Sequence, residues 1–190
     1  MKRAGQSGVM VLIAGALSAC GYHVAGRSNG LPKSIHVIAV PALENKTTTY
    51  KVEQRLTAAT IHEFLSKTNF RVVSDPQNGD AVLTGKVLSL EVVPLLFQST
   101  SSTAGSTAAQ ATAMLVTMRC EVTLTERDND KVLYHTDNFV FRNEYQLATS
   151  APSPNVRGDV ESFFQEGEPA LDRMAQDFAT RLVAAVTENY

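Results

Sequence analysis

Residues 113–125 read AMLVTMRCEVTLT. Met114, Val116, Met118, Cys120, Val122 and Leu124 alternate with Leu115, Thr117, Arg119, Glu121, Thr123 and Thr125, and a period of two marks a strand with one face buried and the other wet. Cys120 falls on the apolar face, where a thiol acts as a small hydrophobe rather than a nucleophile. Arg127-Asp128-Asn129-Asp130 has the composition of a hairpin turn and joins this strand to KVLYHTDNFVFRNEY at 131–145.

Working outward from this hairpin, AVLTGKVLSLEVV at 81–93 is another strand, in which Gly85 signals a bulge or a close backbone approach. FRVV at 70–73 and IHVIAV at 35–40, stopped by Pro41, are two more. Between those two, YKVEQRLTAATIHEFLSKT at 50–68 reads as a helix. Tyr50, Ala58, Ile61 and Leu65 fall near one of its faces and Val52, Leu56 and Ala59 on another, which predicts cover on more than one side. The last element is a helix with a single stripe, Leu171, Met174, Ala175, Phe178, Leu182, Ala185 and Val186, with Pro169 near its start and Asp177 on the opposite, solvated face. This element order predicts an α+β sandwich with both helices on one face of the sheet.

Of the 190 residues, 44% are hydrophobic and 19% charged, enough apolar side chain for one domain core. Lys2 and Arg3 precede the uncharged run Val9–Leu17, the layout of a secretory signal and too short to span a bilayer as a helix. Leu17-Ser18-Ala19-Cys20 resembles the bacterial lipobox, which implies cleavage after residue 19 and acyl chains on Cys20. The expected division is a signal peptide at 1–19, a lipidated tether at 20–34 and one domain at 35–190. Cys20 and Cys120 are the two cysteines, so no internal disulfide is expected. Without Lys2 and Arg3, the 17 basic residues fall short of the 19 acidic ones by four, which argues against a sequence-independent nucleic-acid binder.

Catalytic patterns fail on inspection. His62-Glu63 begins like a zinc-binding H-E-x-x-H, but Ser66 stands at the fifth position. His23, His36, His62 and His135 lack ligand spacing. Gly26, Gly30, Lys33 and Ser34 match a phosphate loop only loosely, because Leu31 rather than lysine follows Gly30. There is no G-x-S-x-G elbow. No catalytic residue, metal site or cofactor is expected.

Two segments interrupt the plan. From Val92 to Met118 the chain carries no charged residue, and within that stretch QSTSSTAGSTAAQAT at 98–112 is low in complexity. It reads either as a flexible hairpin tip or linker, or as a tip that enters another protein or meets lipid. LATSAPSPNVRGD at 147–159 reads as a connection to the C-terminal helix.

Taken in order, Cys20, Gly21-Tyr22-His23-Val24, Leu31-Pro32, IHVIAVPALENKT, VEQRLTAATIHEFL and FRVVSDPQNGDAVLTGKV resemble the lipopolysaccharide-assembly lipoprotein family, LptE. The resemblance implies two helices packed on one face of a four-stranded, mostly antiparallel sheet. It also implies an outer-membrane lipoprotein, anchored by its lipid and facing the periplasm, that plugs the lumen of the LptD β-barrel and helps deliver lipopolysaccharide to the surface. Phe97, Gln98 and Ala108 in the uncharged tip are the candidate barrel contacts. Family members that bind lipopolysaccharide carry a basic residue near that tip, and its approximate counterpart here is Gln98. Lys86, Arg119 and Arg142 are therefore the candidate glycolipid contacts, because phosphates pair best with Arg or Lys. All three read equally well as solvated surface residues. The AVP-x-x-EN element, Ala39-Val40-Pro41 with Glu44-Asn45, also occurs in other envelope lipoproteins. The alternative is such a lipoprotein, binding a cell-wall polymer or a secretion partner.

Overall fold

The computed structural model describes residues 30–101, 107–146 and 168–188, with side chains at 30–95, 113–146 and 171–188. The signal peptide, Cys20, most of the tether and the connection at 147–159 lie outside the described residues. The elements are β1 (Val37–Ala39), β2 (Glu44–Asn45), α1 (Val52–Lys67), β3 (Arg71–Val73), β4 (Ala81–Ser101), β5 (Thr107–Glu126), β6 (Val132–Gln146) and α2 (Glu168–Glu188).

The alternation at 113–125 holds residue for residue. Met114, Val116, Met118, Cys120, Val122 and Leu124 are all buried, while their alternates are exposed or half-buried. β5 is flanked by β4 and β6, both antiparallel to it, and the turn after Glu126 is closed by the Glu126 N–H donating to the Lys131 carbonyl at 2.8 Å.

The sheet has six strands in the order β3-β1-β4-β5-β6, with β2 paired to β4, rather than the four expected. It is also more mixed, because β1 pairs parallel with both β3 and β4, and β2 pairs parallel with β4. The cause is α1, which crosses from the end of β1 back to the start of β3, so that β3 must run in the same sense as β1. Asp80 fixes the entry to β4. Its Oδ2 accepts from the backbone N–H groups of His36 at 2.8 Å and Val37 at 2.9 Å. Chiefly the His36 hydrogen bond, and then that from Val37, holds its carboxyl below the usual carboxylate range. A pKa lowered by folding stabilises above the unfolded value, near pH 4, and that stabilisation is lost as pH falls through the folded value. Asp80→Asn is accordingly expected to cost about 1–3 kcal/mol at pH 7. The gap between variant and wild type should close as urea midpoints are followed down from pH 7 to acid.

Both helices cover the same face of the sheet. An Arg55–Asp172 ion pair and the Thr180 hydroxyl donating to Glu63 at 3.0 Å advance in the same sense along the two helices, so these run parallel. α1 buries Val52, Leu56, Thr60 and Phe64, a single stripe of step four. Tyr50 and Leu65, expected on a covered face, are 81% and 57% exposed. α2 buries Leu171, Met174, Ala175, Phe178, Leu182 and Val186, as its stripe predicts. Asp177 departs from expectation. It is half-buried and accepts from Asn143 Nδ2 at 2.9 Å and the Tyr145 hydroxyl at 3.0 Å, because the edge strand β6 curls under the helix at that point. One turn on, Arg181 donates to the Arg142 carbonyl at 3.1 Å.

Gly85 is a close approach rather than a bulge, since a Cβ there would lie 2.7 Å from Leu43 Cδ2. The bulge comes three residues later, where the register slips between Val87 and Ser89. Gly30 crosses the last turn of α2, where a Cβ would lie 2.1 Å from the Thr187 carbonyl oxygen. Ser34 donates to Glu126 at 3.2 Å. The chain therefore enters at the end of the sheet that holds the start of β4, opposite the end where β4 reaches Ser101.

The expected loop at 98–112 is a correction. β4 and β5 pair continuously to Ser101↔Thr107, so most of that segment is antiparallel ribbon, and only 102–106 lies outside the described residues. Serine, threonine and alanine alternate without contrast in polarity, which hides the period of two from a hydropathy reading.

Candidate functional site

The helix-free face of the sheet is a lattice set by the β4–β5–β6 register. Val93, Leu115 and Glu144 form one row, then Glu91, Thr117 and Arg142, then Ser89, Arg119 and Val140. Lys86 lies opposite Glu121 in the next. The structure thus brings the three basic candidates onto one face. Arg119 and Arg142 are diagonal neighbours on adjacent strands, a relation that puts such positions about 7–8 Å apart. Both are exposed, and among the described residues neither guanidinium has a carboxylate within ion-pair distance.

Lys86 differs. Its Nζ lies 2.8 Å from Glu121 Oε1, and this hydrogen bond, then the charge of the same carboxylate, pushes the ammonium above its ordinary pKa. It lines a cleft of about 360 Å³ with Pro41, Ala42, Glu44, Thr84, Gly85 and Glu121. Two carboxylates beside one ammonium leave little net positive charge there for a phosphate. Arg119 and Arg142 lie among Glu91, Glu121 and Glu144 on the same face, but their guanidiniums remain available as donors.

Charge disappears toward the tip. Past Glu91, the exposed side chains on this face are Val93, at 47%, and Leu95, at 43%. Phe97, Gln98 and Ala108 lie beyond them in the ribbon, opposite Ala111, Gln110 and Thr100, with side chains outside the described residues. The exposed apolar residues Leu88, Val93, Leu95 and Val140 were not legible as a site. The bulge at Leu88 inverts the parity of β4, so that odd positions face the core before it and even positions after it. Among the described residues no three His, Cys, Asp or Glu side chains converge as metal ligands would.

The family model described as lipopolysaccharide-assembly, LptE, matches residues 35–186, from before β1 almost to the end of α2. The chain belongs to the LptE family. It is an envelope lipoprotein of the LptE type. No curated protein matches it. Among solved structures it is similar to the hypothetical protein CT253 from Chlamydia trachomatis, with 10% identity, 80% of this chain and 98% of that chain covered and a TM-score of 0.44. An uncharacterized lipoprotein B from Nitrosomonas europaea shares 12% identity over 90% and 97% of the two chains, with a TM-score of 0.42. The rare lipoprotein B from Shewanella oneidensis shares 14% over 77% and 96%, with a TM-score of 0.33. Likenesses at these TM-scores carry no argument about this LptE member.

Proposed function

We propose that this LptE member is held to the outer membrane by lipid on Cys20, plugs an LptD-type β-barrel and assists lipopolysaccharide assembly at the cell surface. The observation that carries the reading is the hairpin of β4 and β5, which runs on to Ser101↔Thr107 past the last β6 pair, Ala113↔Gln146, in a stretch without a single charge. An isolated soluble domain gains nothing from a long uncharged projection, whereas a plug needs one that can be desolvated cheaply. Phe97, Gln98 and Ala108 are assigned to the barrel contact. Arg119 and Arg142 are assigned to glycolipid phosphate, with Lys86 contributing less because Glu121 holds it.

Co-purification tests this directly. Tagged wild-type protein should bring down the barrel in one-to-one ratio. Phe97→Asp or Ala108→Glu should lower complex yield while thermal unfolding of the soluble domain stays unchanged. A wild type that never carries a barrel protein sinks the plug reading. Tip variants that behave as wild type would leave the plug and remove the tip from the contact. Cys20→Ala should leave the protein unprocessed or soluble in the periplasm, and recovery of that variant processed and in the outer-membrane fraction would refute the anchor. Depletion of the protein should strip lipopolysaccharide from the surface, an outcome that a lipoprotein binding cell-wall polymer or a secretion partner would not give.

A further inference from the structure

The edge strands of a sheet expose unpaired backbone groups, and folded proteins blunt them with charges, prolines, bulges or cover. β6 is blunted in three ways. It bulges at Asp137–Asn138, between the pairs Cys120↔Phe139 and Val122↔Thr136. It also carries Asp137, Arg142 and Glu144, and Arg181 of α2 occupies the Arg142 carbonyl at 3.1 Å. β4 becomes an edge past Val87, where its pairing with β2 ends, and there it carries the slip before Ser89, then Glu91, Pro94 and an irregular register between Pro94 and Phe97.

Beyond those devices the pattern changes. From Phe97↔Ala111 to Ser101↔Thr107 the register is unbroken, and the segment holds no charge, proline or bulge. On the β5 side the position that β6 would fill is vacated, because among the described residues β6 ends at Gln146 opposite Ala113. A two-stranded ribbon alone is marginally stable in water. Protection is therefore missing at the one place where the sheet most needs a third strand.

We propose that the open β5 edge over Thr107–Ala111 is a strand-addition site, which takes an extended, uncharged segment of the barrel partner into the sheet in line with β6. The inference rests on the barrel-plug reading. Main-chain hydrogen bonds supply the affinity in this mode of recognition, and side chains of the added strand are selected by what they lie against. Here they lie against Ala108, Ala109, Gln110 and Ala111, which accept small or uncharged neighbours and offer nothing to pair with a charge.

Amide hydrogen exchange on the full lipoprotein, alone and co-purified with its barrel, tests this. In the free protein, alternate amides over Thr107–Ala111, those not bonded to β4, should exchange fast. In the complex the same alternate amides should slow by at least about tenfold, while those bonded to β4 change less. A complex that forms with no such alternating protection overturns the proposal and leaves the plug reading standing. Failure to form any barrel complex overturns both. Protection already present in the isolated protein assigns the edge to this chain's own following segment, or, if it rises with concentration, to a second copy, and either result overturns the proposal.

Discussion

Replacing Phe178 by alanine is expected to lower the unfolding free energy by about 3–5 kcal/mol. The ring is 1% exposed and meets Phe139 and Phe141 edge-on, with centroids 5.6 and 6.0 Å away, so it joins α2 to the edge strand. Aromatic pairs in this geometry contribute beyond the area they bury. The site cannot readily collapse around the smaller side chain, because Asp177 and Arg181 on either side of Phe178 pin the helix to β6 at Asn143, Tyr145 and Arg142. The full cavity cost should therefore be felt. Asp177→Ala should cost less, about 1–3 kcal/mol, by leaving the Asn143 and Tyr145 donors without their acceptor. Burial, above all, pushes the Tyr145 phenol up to about 12, so near neutral pH it stays a donor and depends on that carboxylate. Urea denaturation of the three proteins checks both claims. Equal losses from the two variants, or a Phe178→Ala loss below about 1 kcal/mol, would show that the ring does not fasten helix to sheet.

A second large effect is expected from Cys120→Asp, on the order of 3–5 kcal/mol at pH 7, the scale of an uncompensated buried charge. Cys120 is 2% exposed, and burial pushes its thiol up to about 12, which shows how poorly the site tolerates a negative charge. The same burial would raise the aspartate pKa above its unfolded value. A carboxyl raised by folding penalises the native state above the unfolded pKa, so the deficit should shrink as pH falls toward 4. Arg119→Gln, one residue away on the exposed face, should change stability by less than about 0.5 kcal/mol. A deficit in Cys120→Asp that stays constant between pH 7 and pH 4 would mean that the carboxylate reaches water.

The strands that alternate strongly were legible because hydropathy and geometry share a period. β5 shows this at six consecutive core positions, and α2 shows the helical equivalent. α1 was legible as a helix but not in its facing, since Thr60 lies in the buried stripe with its hydroxyl returned to the Leu56 carbonyl at 2.7 Å, while the apolar Leu65 points to water. Composition cannot reveal a threonine that satisfies itself within its own turn. The parallel pairings of β1 were hidden because three-residue strands carry no period at all. Of the candidate site, the basic residues could be named, but their sharing of one face depended on a bulge at Leu88 that no residue type announces. The ion pair that ties up Lys86 depended on the cross-strand register with Glu121, which is a property of the sheet and not of either segment.

The crossing of Gly30 over the last turn of α2 bears on reach. Fully extended, the chain from Cys20 to Gly30 covers at most about 35 Å. β4, with 21 residues, extends about 65–70 Å from the opposite end of the sheet at strand rise. A bilayer with its headgroups is about 40–45 Å thick. With acyl chains on Cys20 embedded in one leaflet, the Gly30 end of the domain stays near the surface of that leaflet, and the hairpin tip cannot fold back to touch the same lipid. Threaded through a barrel, a rod tethered on one side of the membrane is long enough to place its far end on the other.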